Sequence, residues 1–171
     1  MIRRIVVCSA LIFVIALPFA SCEDKTPKRG SGTGSGTPER ITAPNFSLQD
    51  ITGRTWRLAD HRGKVVFLNF TTTWCPWCLK DIPTLKKIYE RYRNKEFEFV
   101  SIYIEESQKK VSSFAVKHKL PYKILLDPEG KAARSYGVRG VPTKVVVGRD
   151  GTITCWMCND TEGVLERMLK K

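Results

Sequence analysis

Histidine is scarce in this chain of 171 residues, present only as His61 and His118. A zinc centre built on the Cys75-x-x-Cys78 spacing would therefore have to find its remaining ligands among those two and the later pair Cys155 and Cys158. No internal repeat is present, so a stacked repeat architecture is excluded. Acidic residues are also outnumbered, 17 against 29 lysines and arginines, giving a net charge of +12. A surface this basic favours anionic lipid headgroups or an acidic partner protein.

The longest apolar stretch comes first. Met1-Ile2-Arg3-Arg4 precedes a run from Ile5 to Ala20, interrupted by Cys8, Ser9 and Pro18, and then Ser21-Cys22. A short basic start, an apolar core and small residues before a cleavage point read as a secretory signal over residues 1–21. Ala20 and Ser21 before Cys22 resemble a bacterial lipobox, in which that cysteine is acylated and becomes the mature N-terminus. Phe19 departs from the leucine usual in such boxes. Residues 22–43 carry the anchor site and Gly30-Ser31-Gly32-Thr33-Gly34-Ser35-Gly36, a flexible tether. The expectation is a membrane-anchored lipoprotein of the cell envelope on the periplasmic face, where disulfides persist and nucleic acid is not a partner.

Residues 44–171 are organised around Thr71 to Pro83. The apolar run Val65 to Phe70 is long enough only for a buried strand, and it delivers Cys75-Pro76-Trp77-Cys78 to the start of a helix. Unpaired amide groups at a helix N-terminus stabilise an anion, and the thiolate is the reactive form of cysteine. Cys75 is thus the expected nucleophile and Cys78 the resolving thiol, with Pro76 suited to the first helical turn and Trp74 and Trp77 forming an apolar rim. Two sulfurs three residues apart carry the electrons themselves, so neither cofactor nor metal is expected.

Around this motif the elements alternate. Pro44 to Asp50 and Arg54 to Leu58 flank the Thr52-Gly53 turn and predict a hairpin. Leu85, Ile88, Tyr89 and Tyr92 recur at helical spacing to about Asn94, and Pro83 inside the helix predicts a kink. A strand over Phe97 to Ile104, a basic helix over Ser107 to Lys119, a strand over Tyr122 to Leu126 and a short helix over Lys131 to Tyr136 follow. Val141 to Val147 and Thr152 to Trp156 form a second hairpin about Gly148-Arg149-Asp150-Gly151, and Asp160 or Thr161 caps a last helix. His61 and His118 read as surface residues without chemistry. The order is that of an α/β protein with an antiparallel hairpin near its end.

Trp74-Cys75-Pro76-Trp77-Cys78, Pro83 five residues on, and Val141-Pro142-Thr143 resemble the thioredoxin superfamily. Asn69 to Cys75 and Lys80-Asp81-Ile82-Pro83 narrow the likeness to the TlpA-like, membrane-anchored thiol-disulfide oxidoreductases that include the ResA-type proteins of cytochrome c maturation. It covers Ala43 to Lys171, and Phe46-Ser47-Leu48-Gln49-Asp50-Ile51-Thr52-Gly53 matches the family's N-terminal hairpin. The resemblance implies a thioredoxin fold, a central mixed β-sheet flanked by helices. It also implies that Asp81 is a proton acceptor or tuning group for Cys78, and that Pro142 is a cis-proline leaving the Val141 backbone free for an extended substrate. The implied partners are a disulfide-bearing protein substrate, apocytochrome c among them, and a membrane electron donor, the domain itself acting as a monomer.

Alternatives stay open. Pro76-Trp77 is not the dipeptide of a typical reductant, so an oxidase or isomerase is the nearest rival. A thiol peroxidase would suit Thr72 but would carry proline where this chain has Leu68. A tethered binding module without turnover is a reading of a different class. Cys155-Trp156-Met157-Cys158 can be a structural disulfide, a second redox relay, or unpaired thiols or a metal site. A disulfide there requires the strand to end and turn, and the antiparallel hairpin puts that turn at the same edge as Pro142.

Overall fold

A computed structural model describes residues 40–158 and 160–170. The expected signal segment, Cys22 and all but the last residues of the tether lie outside the described residues.

Seven strands form one mixed sheet in the order β2-β1-β5-β4-β3-β6-β7. The strands are β1 (Ser47–Asp50), β2 (Thr55–Arg57), β3 (Val65–Thr71), β4 (Phe97–Ile104), β5 (Lys123–Asp127), β6 (Thr143–Val147) and β7 (Ile153–Trp156). The helices are α1 (Pro76–Tyr92), α2 (Gln108–Lys117), α3 (Lys131–Ser135) and α4 (Thr161–Leu169). A 3-10 turn over Leu58–His61, absent from the sequence pattern, follows β2. β3 pairs parallel with β4 and antiparallel with β6, and the β1–β2 hairpin joins the sheet through β5.

Every residue of β3 is buried, as a strand covered on both faces must be. Alternate residues serve different cores. Val65 and Phe67 pack with Leu85 and Ile88 of α1, Val111 of α2 and Leu165 of α4. Val66, Leu68 and Phe70 meet Trp56, Leu58 and the small residues Ala132 and Ala133 of α3 on the other face. α1 runs unbroken through Pro83. His61 is not a free surface residue. Its ring stacks on Trp56 at 4.5 Å between centroids, 3.8 Å from the Glu98 carboxylate, and burial lowers its pKa.

Because β3 enters the sheet at Val65 and leaves at Thr71, α1 begins at one edge of the sheet. β6 runs the opposite way and starts at Thr143 beside that edge. The same edge therefore receives the first turn of α1, the Val141–Pro142 loop and the end of β7.

Candidate active site

Cys75 is the N-cap of α1, in extended conformation, and its Sγ accepts the Cys78 N–H at 3.1 Å. Pro76 occupies the first turn, where its missing N–H costs no hydrogen bond, and no acidic side chain stands in that turn. Negative charge on Cys75 thus meets an amide donor and a helix terminus with nothing opposing them locally. The two cysteines are joined as a disulfide with a Cα–Cα separation of 5.2 Å. Both residues are buried in this state, 3% and 5% exposed, while Trp74 and Trp77 beside them are 65% and 69% exposed. The pair is a recess within an apolar rim, and Lys80 lies over the Trp77 ring at 4.6 Å.

The turn that presents Cys75 is fixed from the loop after β4. Glu106, 7% exposed, accepts from the Thr73 backbone N–H at 2.7 Å and from its hydroxyl at 2.6 Å, and is itself held by Lys110 at 2.7 Å. Nothing in the residue pattern singles out Glu106. It sits next to Glu105 just past a strand end, a position that reads as solvated loop.

Val141–Pro142 is cis. β6 begins only at Thr143, so Val141 lies outside the ladder with its carbonyl 3.6 Å from Cys75 Sγ. An extended segment laid along Val141 would carry its own sulfur to Cys75.

Asp81 stands one helical turn beyond Cys78, and its carboxylate is held by Lys144 of β6 at 2.8 Å. Lys144 shares a sheet face with Val146, two residues on, which packs against α1. Sequence reasoning missed this lysine. The signal was its place two residues after Pro142 in an apolar strand, which assigns it to the helix side.

The second pair has a different setting. Cys155 and Cys158 are joined as a disulfide, Cα–Cα 5.7 Å. The register slips between Val146 and Val147, leaving Thr154 as a bulge, so Ile153 packs on the α3 face while Cys155 turns to the α1–α4 face and is 2% exposed. The strand ends at Trp156, and Met157 adopts φ +50°, the turn that the spacing required. Met157 N–H donates to the Lys144 carbonyl at 2.8 Å, which places the clip at the Pro142 edge as expected.

Comparison with known proteins agrees with this geometry. The AhpC/TSA family profile matches residues 41–155. The thiol-disulfide oxidoreductase ResA of Bacillus thuringiensis subsp. konkukian is 34% identical over 130 residues, 75% of each chain. Among solved structures, a Bacteroides thetaiotaomicron protein assigned as a protein disulfide isomerase superposes with a TM-score of 0.70 at 29% identity, covering 77% of this chain and 89% of that one. A Chlorobium tepidum protein assigned as the thiol:disulfide interchange protein DsbE gives 0.67 at 26% identity, covering 78% and 96%.

Proposed function

The chain belongs to the AhpC/TSA family and is a ResA/TlpA-like thiol-disulfide oxidoreductase of the thioredoxin superfamily, and from that premise we propose that it is an exported, membrane-tethered reductase of particular partner disulfides. The observation that carries the exchange chemistry is the capping of α1 by Cys75 Sγ, which favours Cys75 as the thiolate, and the reducing direction is taken from the likeness to ResA.

The cycle begins from the dithiol. The Cys75 thiolate attacks one sulfur of the partner disulfide, forming a mixed disulfide and releasing the partner's other sulfur as a thiolate that takes up a proton. Cys78 then gives its proton to the Asp81 carboxylate, and its thiolate attacks Cys75 Sγ. That step releases the second partner thiol and closes Cys75–Cys78, so two electrons and two protons have passed to the partner. A dithiol donor in the membrane returns them. Lys144 pairs with Asp81 at 2.8 Å while Cys75–Cys78 is oxidised, and so holds that carboxylate in place beside the first turns of α1.

Cys22 carries the lipid in this reading and the domain acts as a monomer at the periplasmic face; the tether ends about residue 40 rather than 43, because Thr42 bridges Thr152 and Ala43 is buried with its N–H bonded to Gly151. The cysteine pair of apocytochrome c is the substrate class the family suggests. The test is turnover by the full chain in detergent micelles, given a dithiol donor and a disulfide protein, with free thiols counted by alkylation and mass. Net thiol production that Cys75→Ser abolishes supports the proposal. Net oxidation of dithiol partners, or stable partner binding without turnover, would replace it with the oxidase or the binding module. Mass analysis of the membrane-extracted chain decides whether Cys22 is acylated.

A further inference from the structure

Single exposed apolar side chains are ordinary, but here their placement is uneven. Among the described residues seven are exposed, and five of them, Trp74, Trp77, Leu79, Trp156 and Met157, lie within or next to the two Cys-x-x-Cys segments. Trp156 is 45% and Met157 53% exposed, at the tip of the turn that Cys155–Cys158 closes.

That tip is held from three sides. The Trp156 indole N–H donates to the Tyr136 carbonyl at 3.0 Å, next to the loop that leads to Val141. The Met157 backbone N–H donates to Lys144, and Met157 Sδ lies 3.8 Å from the Thr143 hydroxyl. Met157 also keeps a left-handed backbone that non-glycine residues seldom adopt. The disulfide anchors this arrangement by burying Cys155 among Val146, Leu165 and Leu169. A tip so fixed, yet exposed, is shaped for contact rather than left over from folding.

Its position relative to the dithiol follows from two contacts. Cys75 Sγ is 3.6 Å from the Val141 carbonyl, and Met157 Sδ is 3.8 Å from Thr143, so only Pro142 separates the two contact points along the chain. An extended chain advances about 3.3 Å per residue, so a partner segment of about three or four residues spans from Cys75 to the tip. The apolar tip therefore stands beside the Val141–Pro142 loop that borders Cys75.

We infer that Trp156 and Met157 form a wall beside that loop and select partners carrying a large apolar side chain, aromatic or aliphatic, two to four residues from the reacting cysteine. Cys155–Cys158 is then a positioning clip for this wall and takes no electrons in turnover. A methionine sulfur beside an aromatic ring suits such a contact and tolerates variation in the ring's angle. The inference rests on the oxidoreductase reading, and its test reports that reading separately.

With a dithiol donor present and its direct reaction subtracted, the experiment compares two disulfide-bonded peptides, identical except for Phe or Gly three residues from the cysteine, and the small disulfide DTNB, which is too short to reach from Cys75 to the tip. The wild-type full chain is expected to favour the Phe peptide by about tenfold in kcat/KM, the discrimination one buried apolar side chain supports. The double variant Trp156→Ala/Met157→Ala should lose that preference to within about twofold, through KM, and turn over DTNB at the wild-type rate. Trp156→Phe/Met157→Leu should keep it. Cys155→Ser/Cys158→Ser should lose it while retaining DTNB turnover. No preference in the wild type, a preference surviving Trp156→Ala/Met157→Ala, or an equal fall on DTNB in that variant would overturn the proposal. DTNB turnover that fails in the wild type would overturn the oxidoreductase reading itself.

Discussion

The chain contains the same spacing twice, and the two copies behave as different objects. Cys75-Pro76-Trp77-Cys78 lies where a strand passes into a helix, so a sulfur takes the place of a capping oxygen and receives an amide N–H. Cys155-Trp156-Met157-Cys158 lies where a strand ends in a left-handed turn, and its first sulfur is packed among aliphatic side chains. Helix termini lower a thiol pKa, whereas apolar burial raises it. Reactivity thus comes from what the flanking backbone offers the sulfur rather than from the two-residue gap.

Removing sulfurs from each pair tests that contrast most severely. Cys75→Ser should abolish reduction of disulfide substrates, a loss of at least about a thousandfold, measured as thiol release. Cys78→Ser should accumulate the mixed disulfide, visible as a mass adduct on Cys75. Cys155→Ser/Cys158→Ser should leave DTNB turnover near wild type and instead cost stability, about 2 kcal/mol for so short a loop, read as a lower denaturation midpoint.

The support of the first pair gives the next effect. Glu106→Ala strips both bonds from Thr73 and should destabilise by about 2 kcal/mol while slowing exchange at Cys75, whereas Glu106→Gln, which keeps one of the two acceptor oxygens, should recover part of both. Asp81→Asn should slow the second half of the cycle by about tenfold, with mixed disulfide building up and the pH profile of turnover changing shape. The same substitution should not alter the second pair.

The smallest effect separates fold stability from the chemistry of either pair. Burial against Trp56 lowers the His61 pKa below its ordinary 6.5, with Glu98 and Asp60 pulling it up and Lys64 and Lys123 pushing it down. Between the lowered value and 6.5 the unfolded chain holds more protons than the folded one. Stability contributed there is complete above 6.5 and declines as pH falls through that window. The denaturation midpoint should fall slightly on acidification below 6.5, and His61→Gln should flatten that slope without changing turnover.

Much of this was legible from residue order. The strand-to-helix placement of Cys75, the proline at Pro142, the order of elements and the turn after Trp156 all follow from local signals, apolar runs and breakers. What escaped depends on register and packing between distant segments. The bulge at Thr154, which turns Cys155 from one core to the other, arises where β7 meets β6 and has no local signature. The Asp81–Lys144 pair joins a helix to a strand 63 positions away, and the Glu106 grip on Thr73 joins two loops. His61 reads as exposed because its burial depends on Trp56 folding back over it.

The measurement that bears most directly on the contrast is a redox titration of the full chain, with each cysteine pair read separately by alkylation and peptide mass. Cys75–Cys78 is expected to titrate as a two-electron couple near the thioredoxin value of about −270 mV, with Cys155–Cys158 still oxidised there and reduced only below about −300 mV. Reduction of Cys155–Cys158 at or above the potential of Cys75–Cys78 would contradict the account, because the second pair would then exchange electrons in turnover.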